Sequence, residues 1–215
     1  MSKSRKLIQK FFRFLYWLLY HPLAWAYDLI AAIVSGNRWK QWVFSVLPHL
    51  TGPKVLEIGH GPGHLHIEMR KRGLFTVGID ASWAMNRLGL RNTTHHRLNT
   101  MLINGYAQLL PLPSFFFDQV VATFPAEFIY DSQALQEVRR VLKPGGQFVI
   151  LPGALIHSNK PYDRFLSWLF RFSGLSPVWS EPFLALLRRT GFEASSIEQN
   201  LGDSSIFIII ATKST

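Results

Sequence analysis

The chain contains no cysteine. That absence excludes a disulfide framework, a thiolate metal site and a thiol nucleophile, and it is compatible with a reducing compartment. Acid is sparse as well: 13 Asp and Glu stand against 23 Lys and Arg, a formal net charge of +10. Internal repeats, low-complexity tracts and linkers are also missing. At 215 residues and 48% hydrophobic content the chain therefore reads as one packed domain over 46–215 with a helical extension over 1–45. His95 and His96 have no carboxylate or cysteine at a ligand spacing and read as surface histidines, so no metal site is expected.

What is present is a strong local pattern at 54–64, KVLEIGHGPGH. Val55, Leu56 and Ile58 form an apolar, β-branched run with one carboxylate, Glu57. Three glycines at alternate positions follow, Gly59, Gly61 and Gly63. This predicts a buried strand opening into a tight loop and then a helix. Glycines there allow positive φ and close approach of a ligand, and the first helical turn offers free N–H groups.

Strands and helices then alternate, as in an α/β sheet. Helices are expected from 65 to the Arg70-Lys71-Arg72-Gly73 stop, from Ser82, over 131–142, 162–172 and 181–190. Strands are expected at 75–79, 101–104, 117–124, 147–151, 192–199 and 205–212, with 91–100 a polar loop and Lys143-Pro144-Gly145-Gly146 a turn.

The glycine spacing departs from a dinucleotide fingerprint, which needs GxGxxG, because His64 stands where the third glycine would be. A carboxylate two residues before the first glycine would also face a pyrophosphate badly, and suits a ligand with a cationic group. Asp80 lies 17 residues after Gly63 at the end of the next strand, where a carboxylate can accept both hydroxyls of a ribose. Taken singly, Asp80 could be a helix cap and Glu57 a surface strand charge. Together with the glycines they define a nucleoside site.

VLEIGHGPGHL, VGIDAS with Met85, NGYAQLLPLPSFFFDQVVATFP and EVRRVLKPGGQFVI, in that order, resemble the class I S-adenosylmethionine-dependent methyltransferases over 54–151. The resemblance implies a Rossmann-like, mostly parallel seven-stranded sheet with helices on both faces and the last strand antiparallel. It implies S-adenosylmethionine as cofactor, with Glu57 near the methionine amino end, Gly59, Gly61 and Gly63 beneath it, and Asp80 on the ribose. Where the family often has Asp-Ala reading the adenine, this chain has Tyr106-Ala107, leaving the Ala107 backbone and the Gln108 side chain for that contact. Upstream, Tyr27-Asp28, Ser35-Gly36 and Trp39-Lys40 are similar to the cofactor-capping region of the ubiquinone and menaquinone biosynthesis C-methyltransferases, which makes Tyr27 a cofactor contact and the acceptor a small, lipid-like molecule.

For a carbon or phenol acceptor a proton must leave, and His157, then Glu127 and Tyr130, are the candidate catalytic residues near the sheet's carboxyl edge. Thr123-Phe124-Pro125-Ala126 lacks the Asn/Asp-Pro-Pro-aromatic pattern of adenine and glutamine N-methyltransferases, which counts against that chemistry.

The charge is largely N-terminal. Residues 1–54 hold eight Lys and Arg against Asp28, giving +7, and the remainder fifteen against twelve, giving +3. Lys3, Arg5, Lys6, Lys10 and Arg13 precede an aromatic, apolar stretch over 14–34. A spanning helix is interrupted by His21, Pro22 and Asp28. A signal peptide cleaved after Ala24-Trp25-Ala26 would separate the enzyme from a cytosolic donor and put Tyr27 at the new terminus. The favoured reading is a basic helix up to Tyr20 lying on an anionic membrane surface, each cation contributing about 1 kcal/mol, then a second helix packed on the domain. The protein is then cytoplasmic and peripheral on the inner face of the cell membrane. A plain helical cap with solvated charges is the alternative for this segment. An RNA-directed methyltransferase and a non-catalytic cofactor-binding scaffold are the alternatives for the whole, with nucleic acid the less favoured partner.

Overall fold

The computed structural model describes residue 18, residues 23–157, residue 162 and residues 181–214. The helices expected up to Tyr20 and over 162–172 lie outside the described residues, apart from Leu18 and Tyr162.

Seven strands form one sheet: β1 (Lys54–Ile58), β2 (Phe75–Asp80), β3 (Met101–Asn104), β4 (Phe117–Thr123), β5 (Leu142–Ile156), β6 (Phe192–Asn200) and β7 (Ser204–Lys213), in the order β3-β2-β1-β4-β5-β7-β6. Pairs among β1 to β5 are parallel, and β7 runs antiparallel to β5 and β6. The fold class is as expected. Helices α1 (Tyr27–Ser35), α2 (Trp39–Phe44), α3 (His64–Lys71), α4 (Trp83–His95), α5 (Ser132–Val141) and α6 (Glu181–Arg189) flank it, with short 3-10 turns at Ala24–Ala26, Leu47–His49 and Glu127–Tyr130.

Successive strand residues face opposite sides, so β1 feeds two cores. Leu56 and Ile58 join Val120, Ala122, Phe148 and Ile150 under α5 and α6. On the other face Val55, Val121, Val149 and Leu151 pack against Trp42, Val43, Leu65 and Met69 of α2 and α3. Central parallel strands covered on both faces are largely apolar, which is why β4 and β5 carry one charge each, Asp118 and Lys143.

Three elements differ in extent from the sequence reading. Helix α4 continues to His95 through the stretch expected to be a loop. Its polar residues turn inward: Thr93 is buried and donates to the carbonyls of Gly89 and Leu90, and Asn92 donates to the Pro62 carbonyl at 2.9 Å. Strand β5 is longer than 147–151 at both ends. Leu142 already pairs with Phe117, and beyond Leu151 residues 153–156 pair with β7 alone, past a register shift between Ile150 and Gly153. Pro152 and Gly153 look like a strand end in sequence, yet sit at an irregularity where a ladder tolerates them. Strand β4 ends at Thr123, and Phe124 turns out of the sheet with φ +47°.

The N-terminal elements are tied to the far end of the chain. The Trp42 indole N–H donates to Ser204 Oγ at 3.0 Å, and Arg38 forks onto Asp203 at 2.9 and 2.5 Å. Among the described residues no helix is long and apolar enough to cross a membrane.

Candidate functional site

Strand order reverses between β1 and β4, and ligands of open α/β sheets bind in the crevice at such a switch, outside the carboxyl ends of the strands. The glycine loop leaves β1 at that point. Gly59, Gly61 and Gly63 have φ of +76°, +52° and +83°, in the left-handed region that side chains resist. Beta-carbons placed on Gly59 and Gly61 would meet no protein atom within 4 Å. The loop therefore presents bare backbone to an open cradle.

The loop is anchored from β2. Gly59 donates its N–H to the Ile79 carbonyl at 2.7 Å, and Gly61 donates to Asp80 Oδ2 at 2.8 Å. Asp80 Oδ1 accepts the N–H of Ser82 at 2.8 Å. Ser82 itself caps α4 by accepting from Met85, so Asp80 is not the cap residue. A carboxylate has about four acceptor positions, and two remain on Asp80 for ligand hydroxyls.

Glu57 is not a surface charge. It is 2% exposed, and its Oε2 lies 3.3 Å from His66 Nδ1 on α3 without hydrogen-bond geometry. His66 is wholly buried, with Nε2 at 3.0 Å from Thr76 Oγ1. A buried carboxylate oxygen lacking a hydrogen bond is a costly group that a cationic ligand or ordered donor satisfies.

Sequence reasoning missed His60. Its ring is buried beneath the loop, wedged between Gly78 and Gly89, where added β-carbons would lie 3.1 Å from its atoms. Nδ1 is 2.9 Å from the Gly61 carbonyl, which can only accept, so Nδ1 carries the proton. Burial pushes the His60 imidazole below its ordinary pKa, opposed by the charges of Asp80 and Glu57. The signal was present as two glycines in regular elements, where glycine is unfavourable without a packing reason.

The N-terminal segment closes over this region. Tyr27 is buried with Ala24, Ala31 and Met85, and meets Trp39 edge-on at 6.1 Å. Trp39 stacks on Phe124 at 4.2 Å. His64, the first residue of α3, contacts Asp28 of α1 through Nε2 at 2.7 Å. That hydrogen bond, aided by His64 and Lys40 charge, holds the Asp28 carboxyl below its usual pKa despite partial burial.

The other expected residues are dispersed around the crevice. Ala107 is buried, and Gln108 donates its amide to Asp131 Oδ2 at 2.9 Å, which also lowers the Asp131 pKa. Glu127 and Tyr130 are exposed on the turn after Phe124, with Tyr130 edge-on to Phe183. His157 is carried away by the β5–β7 extension: its N–H donates to the Asp203 carbonyl at 2.8 Å and its Nε2 lies 2.8 Å from Ser205 Oγ. Among the described residues no group of three His, Asp or Glu could hold a metal ion.

A switch-point crevice with a positive-φ glycine cradle and carboxylates ending two adjacent strands defines a nucleoside-binding α/β fold. The methyltransferase domain family matches residues 56–150. The demethylmenaquinone methyltransferase of Thermobifida fusca is 30% identical over 155 residues, 70% of this chain and 65% of its own length. The ubiquinone/menaquinone biosynthesis C-methyltransferase UbiE of Paraburkholderia phymatum is 30% identical over 164 residues, 70% of this chain and 68% of its own length. Thus the match spans only about two thirds of the relatives. The magnesium protoporphyrin IX methyltransferase of Synechocystis, solved with bound SAH, shares the fold with TM-score 0.59 and 17% identity, covering 81% of this chain and 83% of that one. The chain belongs to the class I S-adenosylmethionine-dependent methyltransferases.

The residues present fit that cofactor. Gly59 and Gly61 leave room along the loop, Glu57 has one buried oxygen without a hydrogen bond, and Asp80 keeps acceptor positions.

Proposed function

We propose that this chain transfers the methyl group of S-adenosylmethionine to a small, lipid-like acceptor, a planar apolar ring, at a membrane surface. The observation that carries the reading is the aromatic wall of Tyr27, Trp39 and Phe124 beside the glycine loop. Phe124 follows Thr123, whose strand pairs with β1, so the wall borders the same crevice as Gly59. The relatives named for quinone-precursor methylation support the same acceptor class.

In this reading residues 1–45 are the cap and 46–215 the catalytic domain. Glu57 holds the amino end of the cofactor, the glycine loop its backbone-facing side, Asp80 the ribose, and Ala107 with Gln108 the adenine. Tyr27 closes the cap. When bound, the cofactor supplies a methyl group on a sulfonium, already activated. The chain's contribution is then chiefly orientation and exclusion of water by the aromatic wall. The proton leaving a ring carbon or phenol goes to a group at the crevice. Glu127 and Tyr130, on the turn that follows Phe124-Pro125, and His157, at the end of β5, are the groups proposed to take it.

The test is incubation of the purified chain with methyl-labelled donor and fractionated cell extract. Label is expected in the solvent-extractable lipid fraction, and in a reduced water-soluble naphthoquinone supplied as acceptor. Label confined to RNA, or transferred to nothing, would sink the proposal.

A further inference from the structure

We infer that the outer face of the cap, the row Leu23, Trp25, Leu29 and Ile33 continued by Trp83 and Leu90 of α4, docks on an anionic lipid bilayer. Trp25 is 77% exposed, Leu29 63%, Ile33 53% and Trp83 62%. Positions 25, 29 and 33 recur every four residues and so form one stripe along the segment. The opposite stripe, Ala24, Tyr27, Ala31 and Ser35, is buried against the domain. Thus α1 already uses one apolar face for packing, and the second is exposed at Trp25, Leu29 and Ile33, meeting Tyr162 at its far end, where the Tyr162 hydroxyl donates to the Ile33 carbonyl and a cleft is lined by Leu29, Ile33 and Tyr162. Helix α4 packs against the Ala24–Ala26 turn, with Met85 among Ala24, Tyr27 and Ala31, and carries exposed Trp83 in its first turn.

Exposed rows of large apolar side chains on a folded chain mark interaction surfaces. The chemistry around this one selects a lipid surface. Tryptophan suits the water–hydrocarbon boundary, with an apolar ring and a polar N–H. Arg87 lies over the Trp83 ring at 4.7 Å, a cation set beside an apolar anchor as at a headgroup layer. Exposed Lys40 follows the stripe in sequence, and five cations within residues 1–13 precede it. Against them residues 1–54 offer Asp28 alone, which His64 engages. A basic, Trp-bearing amphipathic helix that lies in the interface needs these two components together.

The inference rests on the lipid-acceptor reading and extends it. The buried stripe of α1 carries Tyr27 toward the crevice while the exposed stripe faces outward. Docking by that face holds the cap, and with it the crevice that Tyr27 faces, close to the membrane surface.

The full chain is floated on phosphatidylcholine vesicles with and without phosphatidylglycerol. It should float with the anionic vesicles, less at high salt, and exposed tryptophan emission should shift to the blue. The triple variant Trp25→Ser, Leu29→Ser, Ile33→Ser should lose at least about tenfold in vesicle affinity, while its melting curve and its S-adenosylmethionine affinity by calorimetry stay those of the parent. A parent chain that does not float, or a triple variant that floats equally, would overturn the inference. So would a parent dimer in sedimentation without vesicles that the triple variant dissolves, since a second copy would then cover the row. Methylation of the water-soluble naphthoquinol, read without vesicles, is scored separately: its failure with intact flotation overturns the acceptor reading and leaves the docking surface standing.

Discussion

Asp80 ties the glycine loop to the start of α4 through one carboxylate, which accepts from Gly61 and Ser82, and in the proposed reading it also takes the ribose hydroxyls. Asp80→Ala should weaken S-adenosylmethionine binding at least about tenfold, because hydrogen bonds to a charged group contribute about 1.5–3 kcal/mol each. Calorimetric titration checks it. His60 gives a pH signature. Its folded pKa is depressed by burial, so the unfolded chain binds more protons below the ordinary histidine value near 6.5. The stability it contributes is complete above that pH and declines as pH falls toward the folded pKa. Urea midpoints at pH about 8 and about 5.5 should fall less in His60→Asn than in the parent. An equal fall in both would remove His60 as the cause.

At the scale of elements, α4 and β2 each give up a side chain to house the imidazole. Alanine in a helix interior normally gains about 1 kcal/mol over glycine. At Gly89 the added methyl would lie 3.1 Å from both His60 Cε1 and Leu102 Cδ1. The ring cannot retreat toward Gly78, and Nδ1 is held by Gly61. Gly89→Ala is therefore expected to destabilise by about 1–2 kcal/mol in denaturant unfolding, as overpacking does. Combining it with His60→Ala should reduce that penalty and leave the Leu102 contact, a coupling a double-mutant cycle measures. The glycine loop, Asp80 and the α4 cap at Ser82 were all legible in sequence, since each is a contact between near neighbours or a short-range backbone requirement. The pocket for His60 was not, because Gly78 and Gly89 meet it only after β1, β2 and α4 are packed.

For the whole molecule, the cap is held by contacts that span most of the chain. Trp42 is 1% exposed and reaches Ser204, 162 residues away. Trp42→Ala should cost about 3–5 kcal/mol and leave Ser204 without its donor. Trp42→Phe should cost less, keeping most of the packing while losing the hydrogen bond. Thermal unfolding of the two variants gives the order. Both should also weaken cofactor binding, because Trp42 anchors α2, and α2 carries Trp39 against Tyr27 and Phe124.

What the sequence by itself determined is the class of ligand. The alternation of strand and helix, the glycine spacing, the acid before the loop and the acid ending the next strand are local patterns, and backbone geometry translates them directly. Tertiary structure alone decided what surrounds that ligand. It buried Glu57 against His66, kept β5 running through Pro152 to reach β7, turned Phe124 into a positive φ, and brought Tyr27 and Trp39 across from the other end of the chain. Those outcomes depend on which strands become neighbours, and no short window of residues encodes the order β3-β2-β1-β4-β5-β7-β6.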